Sequence, residues 1–127
     1  MSKSTGKVVL IVDDSTSIRM KVKAILQREG FVVREAGTEY GMLGSLVENG
    51  VPVDIILMDL SLNEVNGFEL VREVQSMEKF REIPIVMLTQ HSDLSNVAKA
   101  KMLGIRDYVV KPFESQLLVD RIKKLLD

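Results

Sequence analysis

The sequence predicts an α/β fold, in which a doubly wound, five-stranded parallel sheet carries helices on both faces. Five short apolar runs rich in β-branched residues alternate with longer segments whose apolar residues recur at helical spacing. The chain has 127 residues, a length typical of one domain with its own buried core. No low-complexity segment and no linker rich in Pro, Gly or Ser divides it. These observations favour a single α/β domain.

The predicted strands are the apolar runs, each about as long as a typical strand. Their β-branched content supports this assignment. In chain order the strands are Val8 to Val12, Phe31 to Val33, Val53 to Met58, Ile85 to Leu88 and Tyr108 to Val110.

The first two predicted helices are marked by capping residues and glycines. Ser15 suits an N-cap, and Gly30 marks the end of the first helix. The second helix begins near Thr38 and is expected to be short or loosely wound, because Gly41 and Gly44 weaken it. The predicted buried faces are Ile18, Val22, Ile25 and Leu26 in the first helix, and Tyr40, Leu43, Leu46 and Val47 in the second.

The remaining three helices are predicted from the same signals. The third begins at about Phe68, and a polar loop containing Phe80 then leads to the strand that Pro84 opens. The fourth runs from about Ser92 to Leu103, with Gly104 at its end, and the fifth follows Pro112. Their predicted apolar faces are Val71 and Val74, then Leu94, Val97 and Ala98, then Leu118, Ile122 and Leu125.

Composition excludes several classes of function. Lys and Arg total 17 against 18 Asp and Glu, so the net charge of −1 lacks the basic excess of a nucleic-acid-binding module. The apolar runs are far shorter than the ~20 residues that cross a bilayer, and residues 1–7 show no secretory signal. Without cysteine there is no disulfide or thiolate chemistry, so the expected compartment is the cytosol.

Polar residues with convergent chemistry follow the predicted strands. Asp13 and Asp14 follow the first strand, Asp59 the third, Thr89 the fourth and Lys111 the fifth. Ligands bind outside the carboxyl ends of parallel strands, and in the strand order 2-1-3-4-5 the three carboxylates converge. Their repulsion is relieved by a hard divalent cation such as Mg²⁺, which shares its coordination with phosphate groups. The pattern therefore predicts a phosphoryl site with a carboxylate nucleophile.

Four sequence strings contain the residues that follow or end the predicted strands: Leu10 to Ser15, Leu57 to Leu60, Val86 to Thr89 and Asp107 to Phe113. Together they resemble the receiver domains of two-component response regulators. The resemblance covers nearly the whole chain, from about Lys7 to Leu126. It implies the flavodoxin-like strand order 2-1-3-4-5 known for chemotaxis receivers. The resulting expectation is a single receiver domain at residues 7–127, preceded by a flexible tail at residues 1–6.

The resemblance also implies the chemistry of the site. Asp59 would accept a phosphoryl group from a phosphohistidine on a sensor histidine kinase or phosphotransfer protein. Asp13, Asp14 and Asp59, with the main-chain carbonyl of Ser61, would hold Mg²⁺. Such a chain is a signalling switch that catalyses its own phosphorylation and dephosphorylation, not a metabolic enzyme.

The switch itself is likewise implied by the resemblance. Thr89 and Lys111 would bind phosphoryl oxygens, Tyr108 would move from an outward to an inward rotamer, and the bond before Pro112 would be cis. The signal would reach the surface of the fourth helix, fifth strand and fifth helix, where a downstream target or a second receiver would dock. The charged residues expected on that surface are Lys101, Arg106, Asp107 and Arg121.

The chain departs from the family pattern next to the site. After the acceptor Asp the family commonly has Met-Pro-Gly before an Asp-Gly pair, whereas this chain reads Leu-Asn-Glu-Val-Asn-Gly at residues 62–67, which predicts a more flexible loop. Gln90 replaces the usual small residue after Thr89, and Ser61 is too short to reach far. We therefore expect Gln90 to dominate the lifetime of the phosphoryl group by shielding it from water. The alternative is that Gln90 points to solvent without effect.

The same residues admit other interpretations. Taken singly, the acidic pair can be a solvated strand end, Lys111 a surface charge and His91 an exposed helix-entry residue. A phosphohydrolase normally needs a second acid close to its nucleophile, and Leu60 and Ser61 supply none. A flavin-binding domain would be repelled by the acidic first loop, and an interaction module that is never phosphorylated does not need the complete set of site residues. The sequence leaves open whether the chain acts alone or within a longer regulator.

Overall fold

A computed structural model describes residues 6–126 of the chain. The strands of its main sheet are β1 (Val8–Val12), β2 (Val32–Ala36), β3 (Ile55–Met58), β4 (Ile85–Thr89) and β5 (Asp107–Val110). Its α-helices are α1 (Thr16–Arg28), α2 (Glu39–Ser45), α3 (Gly67–Ser76), α4 (Leu94–Met102) and α5 (Ser115–Leu126), and Glu78–Phe80 forms a short 3₁₀ turn. Residues 1–5 of the predicted tail lie outside the described residues, and Gly6 donates its amide to the carbonyl of Gly30.

The main sheet is parallel throughout and has the strand order β2-β1-β3-β4-β5. This confirms the predicted doubly wound fold. The register pairs Val12 of β1 with Met58 of β3, and Met58 with Met87 of β4. Because β1 and β3 end side by side, the amide of Asp59 donates to the carbonyl of Val12 at 3.0 Å. The topology therefore places the residues that follow β1 and β3 next to one another.

Two hydrophobic cores lie on opposite faces of the sheet. Val8, Leu10 and Val12 of β1 face the core under α2, α3 and α4, whereas Val9 and Ile11 face the core under α1 and α5. All the residues of β1, β3 and β4 are buried, as expected for central strands covered on both faces. Helices on both faces are thus confirmed. In the described part of the chain, no helix is long and apolar enough to cross a membrane.

The N-terminal caps of the first two helices agree with the sequence prediction. The Ser15 hydroxyl accepts from the amide of Ile18, and the Thr38 hydroxyl accepts from the amide of Gly41. Helix α2 has seven residues and is as short as predicted. The prediction that Tyr40 is buried is wrong, because Tyr40 is 88% exposed and Met42 is the fully buried residue of that helix.

Helix α4 differs from its prediction in both start and orientation. It begins at Leu94 because Asp93, not Ser92, is the N-cap, and the Asp93 side chain accepts from the amide of Asn96. Leu94 is 85% exposed and Ala98 is also exposed, whereas Ala100 packs into the core. The helix therefore turns a different face to the sheet than periodicity indicated, since a window this short and rich in small residues defines its apolar face weakly.

Two short antiparallel ladders were missed by the sequence analysis. Val47–Glu48 pairs with Val51–Pro52 through a turn in which Asn49 and Gly50 both have positive φ, 52° and 78°. Such a turn favours Asn-Gly. The guanidinium of Arg34 in β2 anchors this ladder, because it donates hydrogen bonds to the carbonyls of Ser45 and Val51. The second ladder, Ser61–Leu62 with Val65–Asn66, lies in the loop between β3 and α3.

Candidate functional site

Three carboxylates meet at the carboxyl ends of β1 and β3. One oxygen from each of Asp13, Asp14 and Asp59 lies within 4.8 Å of the others. Asp13 is fully buried and Asp59 is 7% exposed, whereas Asp14 is exposed to solvent. The cluster is assembled because Asp13 and Asp59 directly follow neighbouring strands. Carboxylate oxygens at this spacing, with one side open to water, fit a hard divalent cation such as Mg²⁺.

Lys111, which follows β5, brings an ammonium group to the cluster. Its Nζ lies 2.6 Å from Asp13 Oδ2 and 3.5 Å from Asp59 Oδ2, and its side chain is 9% exposed. The peptide bond from Lys111 to Pro112 is cis. Burial raises the pKa of Asp59 above its ordinary value, and the negative charge of Asp13 adds to this effect. Lys111 and the amide of Ser61 oppose the shift by stabilising the carboxylate.

Thr89 and Tyr108 are linked through the loop that follows β4. Thr89 is fully buried at the end of the strand, and its hydroxyl accepts a hydrogen bond from the amide of His91 at 3.3 Å. The carbonyl of His91 in turn accepts from the hydroxyl of the half-buried Tyr108 at 2.6 Å. Burial raises the pKa of the Tyr108 phenol, and the charge of Asp93 contributes. A single loop residue therefore joins the site to the β5 side chain expected to switch.

Gln90 and His91 form part of the rim of the cleft above the carboxylates. Both side chains are exposed. The imidazole Nε2 of His91 lies 3.4 Å from the hydroxyl of Ser61, on the opposite side of the cleft. His91 is exposed, as predicted for a helix-entry residue, and it also borders the site, as its place two residues after Thr89 indicates.

The loop between β3 and α3 is shaped by its contacts with the site. Asn66 caps α3 by accepting from the amide of Phe68 at 2.8 Å, so Asn serves here where the family commonly has Asp. Gly67 packs against the backbone of Asp59, and a Cβ at Gly67 would lie 2.2 Å from the Asp59 carbonyl oxygen. Asn63 has a φ of 56°, a conformation that proline cannot adopt. The loop conformation seen here is therefore incompatible with proline at residue 63.

The assembled cleft combines acidic, hydroxyl and ammonium groups. The cleft is lined by acidic residues that suit a cation, by a buried hydroxyl and by an ammonium. Residues 9–123 match the family model described as the response regulator receiver domain. The chain belongs to this family. Receiver domains are signalling switches, not metabolic enzymes, and they typically bind Mg²⁺ at an acidic pocket.

Individual relatives agree with this assignment. The receiver is 34% identical over 120 residues to the chemotaxis protein CheY1 of Helicobacter pylori, covering 93% of this chain and 95% of the relative. It is 35% identical to the phosphate regulon transcriptional regulatory protein PhoB of Pseudomonas aeruginosa, covering 95% of this chain and 52% of that longer protein. The structure of the chemotaxis protein CheY4 of Vibrio cholerae superimposes with a TM-score of 0.87 at 31% identity, covering 94% of the receiver and 98% of CheY4.

Proposed function

We propose that this receiver domain accepts a phosphoryl group on Asp59, in a Mg²⁺-dependent reaction, from the phosphohistidine of a histidine kinase or phosphotransfer protein. The observation that carries the proposal is the buried Asp59 carboxylate, grouped with two other carboxylates and 3.5 Å from the Lys111 ammonium. Response regulators as a class interact with histidine kinases and with downstream targets. The cytosol is the compartment proposed for this exchange.

The proposed transfer is a direct displacement at phosphorus. An oxygen of Asp59 attacks phosphorus, the new O–P bond replaces the P–N bond to the donor imidazole, and an acyl phosphate results. Asp13, Asp14, Asp59 and the carbonyl of Ser61 are the ligands proposed for Mg²⁺, which neutralises charge on the phosphoryl oxygens when it is bound. The Lys111 ammonium and the Thr89 hydroxyl are positioned to contact the remaining oxygens. The domain thereby catalyses its own phosphorylation, and attack of water on the phosphorus would then break the O–P bond to Asp59, release inorganic phosphate and restore the carboxylate.

Output is proposed to pass from Thr89 through His91 to Tyr108. When Thr89 moves toward the phosphoryl group, the loop that accepts the Tyr108 hydrogen bond moves with it, because both bonds meet at His91. The surface that would report this movement is made by α4, β5 and α5, where Asp107 pairs with Arg121 at 2.7 Å and Lys101 and Arg106 are exposed. We propose this surface for a downstream target or for a phosphorylation-dependent homodimer.

The proposal is tested by phosphorylating the protein with acetyl phosphate and Mg²⁺ and measuring its intact mass. We expect the gain of one hydroxylamine-labile phosphoryl group, no gain in EDTA, and no gain in the Asp59→Asn variant. The Asp120→Asn variant is the matched control, because Asp120 is an exposed carboxylate on α5. Equal labelling of the Asp59→Asn variant would refute the assignment of the acceptor.

Gln90 is proposed to lengthen the life of the phosphoryl group by shielding it from in-line water. Its exposed side chain at the rim of the cleft lies beside the buried Thr89 that faces the site. After phosphodonor removal at saturating Mg²⁺, the Gln90→Ala variant is expected to lose its label several-fold faster than the natural protein. Gln27→Ala, an exposed change in α1, should decay at the natural rate. If the Gln90→Ala variant loses its label more slowly than the natural protein, Gln90 positions the attacking water. If the two decay rates are equal, the Gln90 side chain points to solvent without effect.

A further inference from the structure

The loop between β3 and α3 holds one carboxylate of the site from outside the cluster. The amide N–H of Asn63 donates to Asp14 Oδ2 at 2.9 Å, across 49 residues of sequence. Asp14 is the exposed member of the three, so packing alone does not restrict its side chain to one rotamer. The hydrogen bond from Asn63 is therefore the contact that selects the orientation of this carboxylate.

The conformation of Asn63 is what allows this contact. Its φ of 56° lies in the left-handed region, which Asn tolerates better than most residues. Its side-chain amide also donates to the carbonyl of Gly37 at 3.4 Å. Proline, which is common in this loop of the family, has no N–H and a φ near −65°, so it can make neither contact. The hydrogen bond is thus a feature of this chain's own loop sequence.

A second contact secures the neighbouring carboxylate through its backbone. Arg19 donates to the main-chain carbonyl of Asp13 and pairs with Glu35 at 3.3 Å. Its guanidinium packs against Gly37, where a Cβ would lie 2.8 Å from Nη1. Beside the loop that carries Asp13 and Asp14, Gly37 thus contacts both Arg19 and Asn63. These contacts join the loop after β1 to the loops after β2 and β3.

We propose that Asn63 is a positioning residue for Mg²⁺, acting through Asp14. The inference rests on the proposed function, because Asp14 is a ligand only if the acidic site holds the ion. One Asp14 oxygen accepts from Asn63, and the same carboxylate places an oxygen within 4.8 Å of those of Asp13 and Asp59. Carboxylates that ligate metals are generally held by such outer hydrogen bonds, whose loss costs about ten- to hundredfold in affinity.

The test is a calorimetric titration of the protein with Mg²⁺ alone. The informative variant replaces the peptide bond between Leu62 and Asn63 by an ester, which removes the N–H and keeps the backbone conformation. We expect this variant to bind Mg²⁺ about tenfold more weakly than the natural protein. Asn63→Pro removes the same donor by simple mutagenesis and should be at least as weak. Asn63→Gly is the matched control, because it keeps both the N–H and the positive φ, and should bind within about twofold of the natural protein.

The outcomes separate this inference from the function on which it rests. If the natural protein binds no Mg²⁺, the proposed function fails. If the natural protein and the ester variant bind Mg²⁺ with equal affinity, the positioning role of Asn63 is wrong and the proposed function is unaffected. Asn63→Gly binding as weakly as the ester would show that any change at residue 63 weakens the site, and this would overturn the specific role of the N–H. Melting temperatures in EDTA provide a structural readout: a lower melting temperature with unchanged affinity would show that the bond only stabilises the fold.

Discussion

The Gly67→Ala variant is expected to lose about 3 kcal/mol of unfolding free energy, because the added methyl group collides with backbone. The new Cβ would lie 2.2 Å from the Asp59 carbonyl oxygen and 2.9 Å from the Cα of Leu60. Neither atom can rotate away as a side chain can, and the Gly67 amide already donates to the Leu60 carbonyl at 2.5 Å. Relief therefore requires α3 to move away from the end of β3. Because Asp59 is part of this contact, phosphorylation should slow as well.

The measurement for Gly67 is urea unfolding followed by far-ultraviolet circular dichroism. Gly44→Ala is the matched control, because Gly44 lies in α2, is exposed and has no atom within 4 Å of an added Cβ. That change should stabilise the protein by about 0.5–1 kcal/mol through helix propensity. Similar unfolding free energies for the two variants would show that the backbone contact at Gly67 does not limit its side chain.

Replacing Lys111 with Met is expected to cost about 3 kcal/mol at neutral pH without Mg²⁺, because it leaves two buried carboxylates without their cation. The Lys111 ammonium contacts Asp13 at 2.6 Å and Asp59 at 3.5 Å, and the three side chains are at most 10% exposed. Methionine preserves most of the length and volume of the lysine stem, so the loss reflects charge. Mg²⁺ supplies the missing positive charge, so it should raise the melting temperature of the variant by more than that of the natural protein.

The sign of the pH dependence follows from Asp59. Lys111 lowers the pKa of Asp59, against burial and the charge of Asp13, so its removal raises that pKa further. A carboxyl that holds its proton more tightly in the folded chain contributes stability below its unfolded pKa, and this stability is lost as the pH rises through the folded pKa. The loss of unfolding free energy in the Lys111→Met variant should therefore be small near pH 3.8, the ordinary pKa of an Asp side chain. The loss should grow toward neutral pH.

The control for Lys111 is Lys123→Met, which breaks a more exposed pair between α5 and Glu29 at 2.9 Å. Such a pair is worth about 1 kcal/mol or less. Thermal and urea unfolding at several pH values provide the comparison. Equal losses for the two lysines, or a Lys111→Met deficit that does not change with pH, would contradict the electrostatic role assigned to Lys111.

The architecture of this protein was predictable because it depends on local patterns of hydrophobicity. Each of the five strands overlaps a predicted apolar run, with Val8–Val12 predicted to the residue, although the second strand continues past Val33 through charged residues to Ala36. The caps at Ser15 and Thr38 act as their side-chain chemistry suggests. Predictions failed where the local pattern is weak. Tyr40 and Leu94 fit an apolar stripe, but their short helices present other residues to the sheet, and both side chains are exposed.

The candidate site was predictable for a related reason: Asp13, Asp14, Asp59 and Lys111 follow strands, Thr89 is the last residue of β4, and parallel strands end at one edge. Their sequence positions therefore implied their proximity once the strand order was assumed. The contacts between loop residues at the edge of the site could not be predicted in this way. The approach of His91 to Ser61 depends on the path of a loop.

By itself, the sequence determined the fold class and the chemistry at the strand ends, since both follow from periodicity and residue type. Only the tertiary structure decided the contacts across loops. That Gly67 must lack a side chain follows from its approach to the Asp59 backbone, and not from its own φ, which is not positive. That Asn63 holds Asp14 follows from a left-handed residue placed by a two-stranded ladder. Such contacts join residues distant in sequence, and loop torsions, unlike hydrophobic periodicity, leave no repeating pattern along the chain.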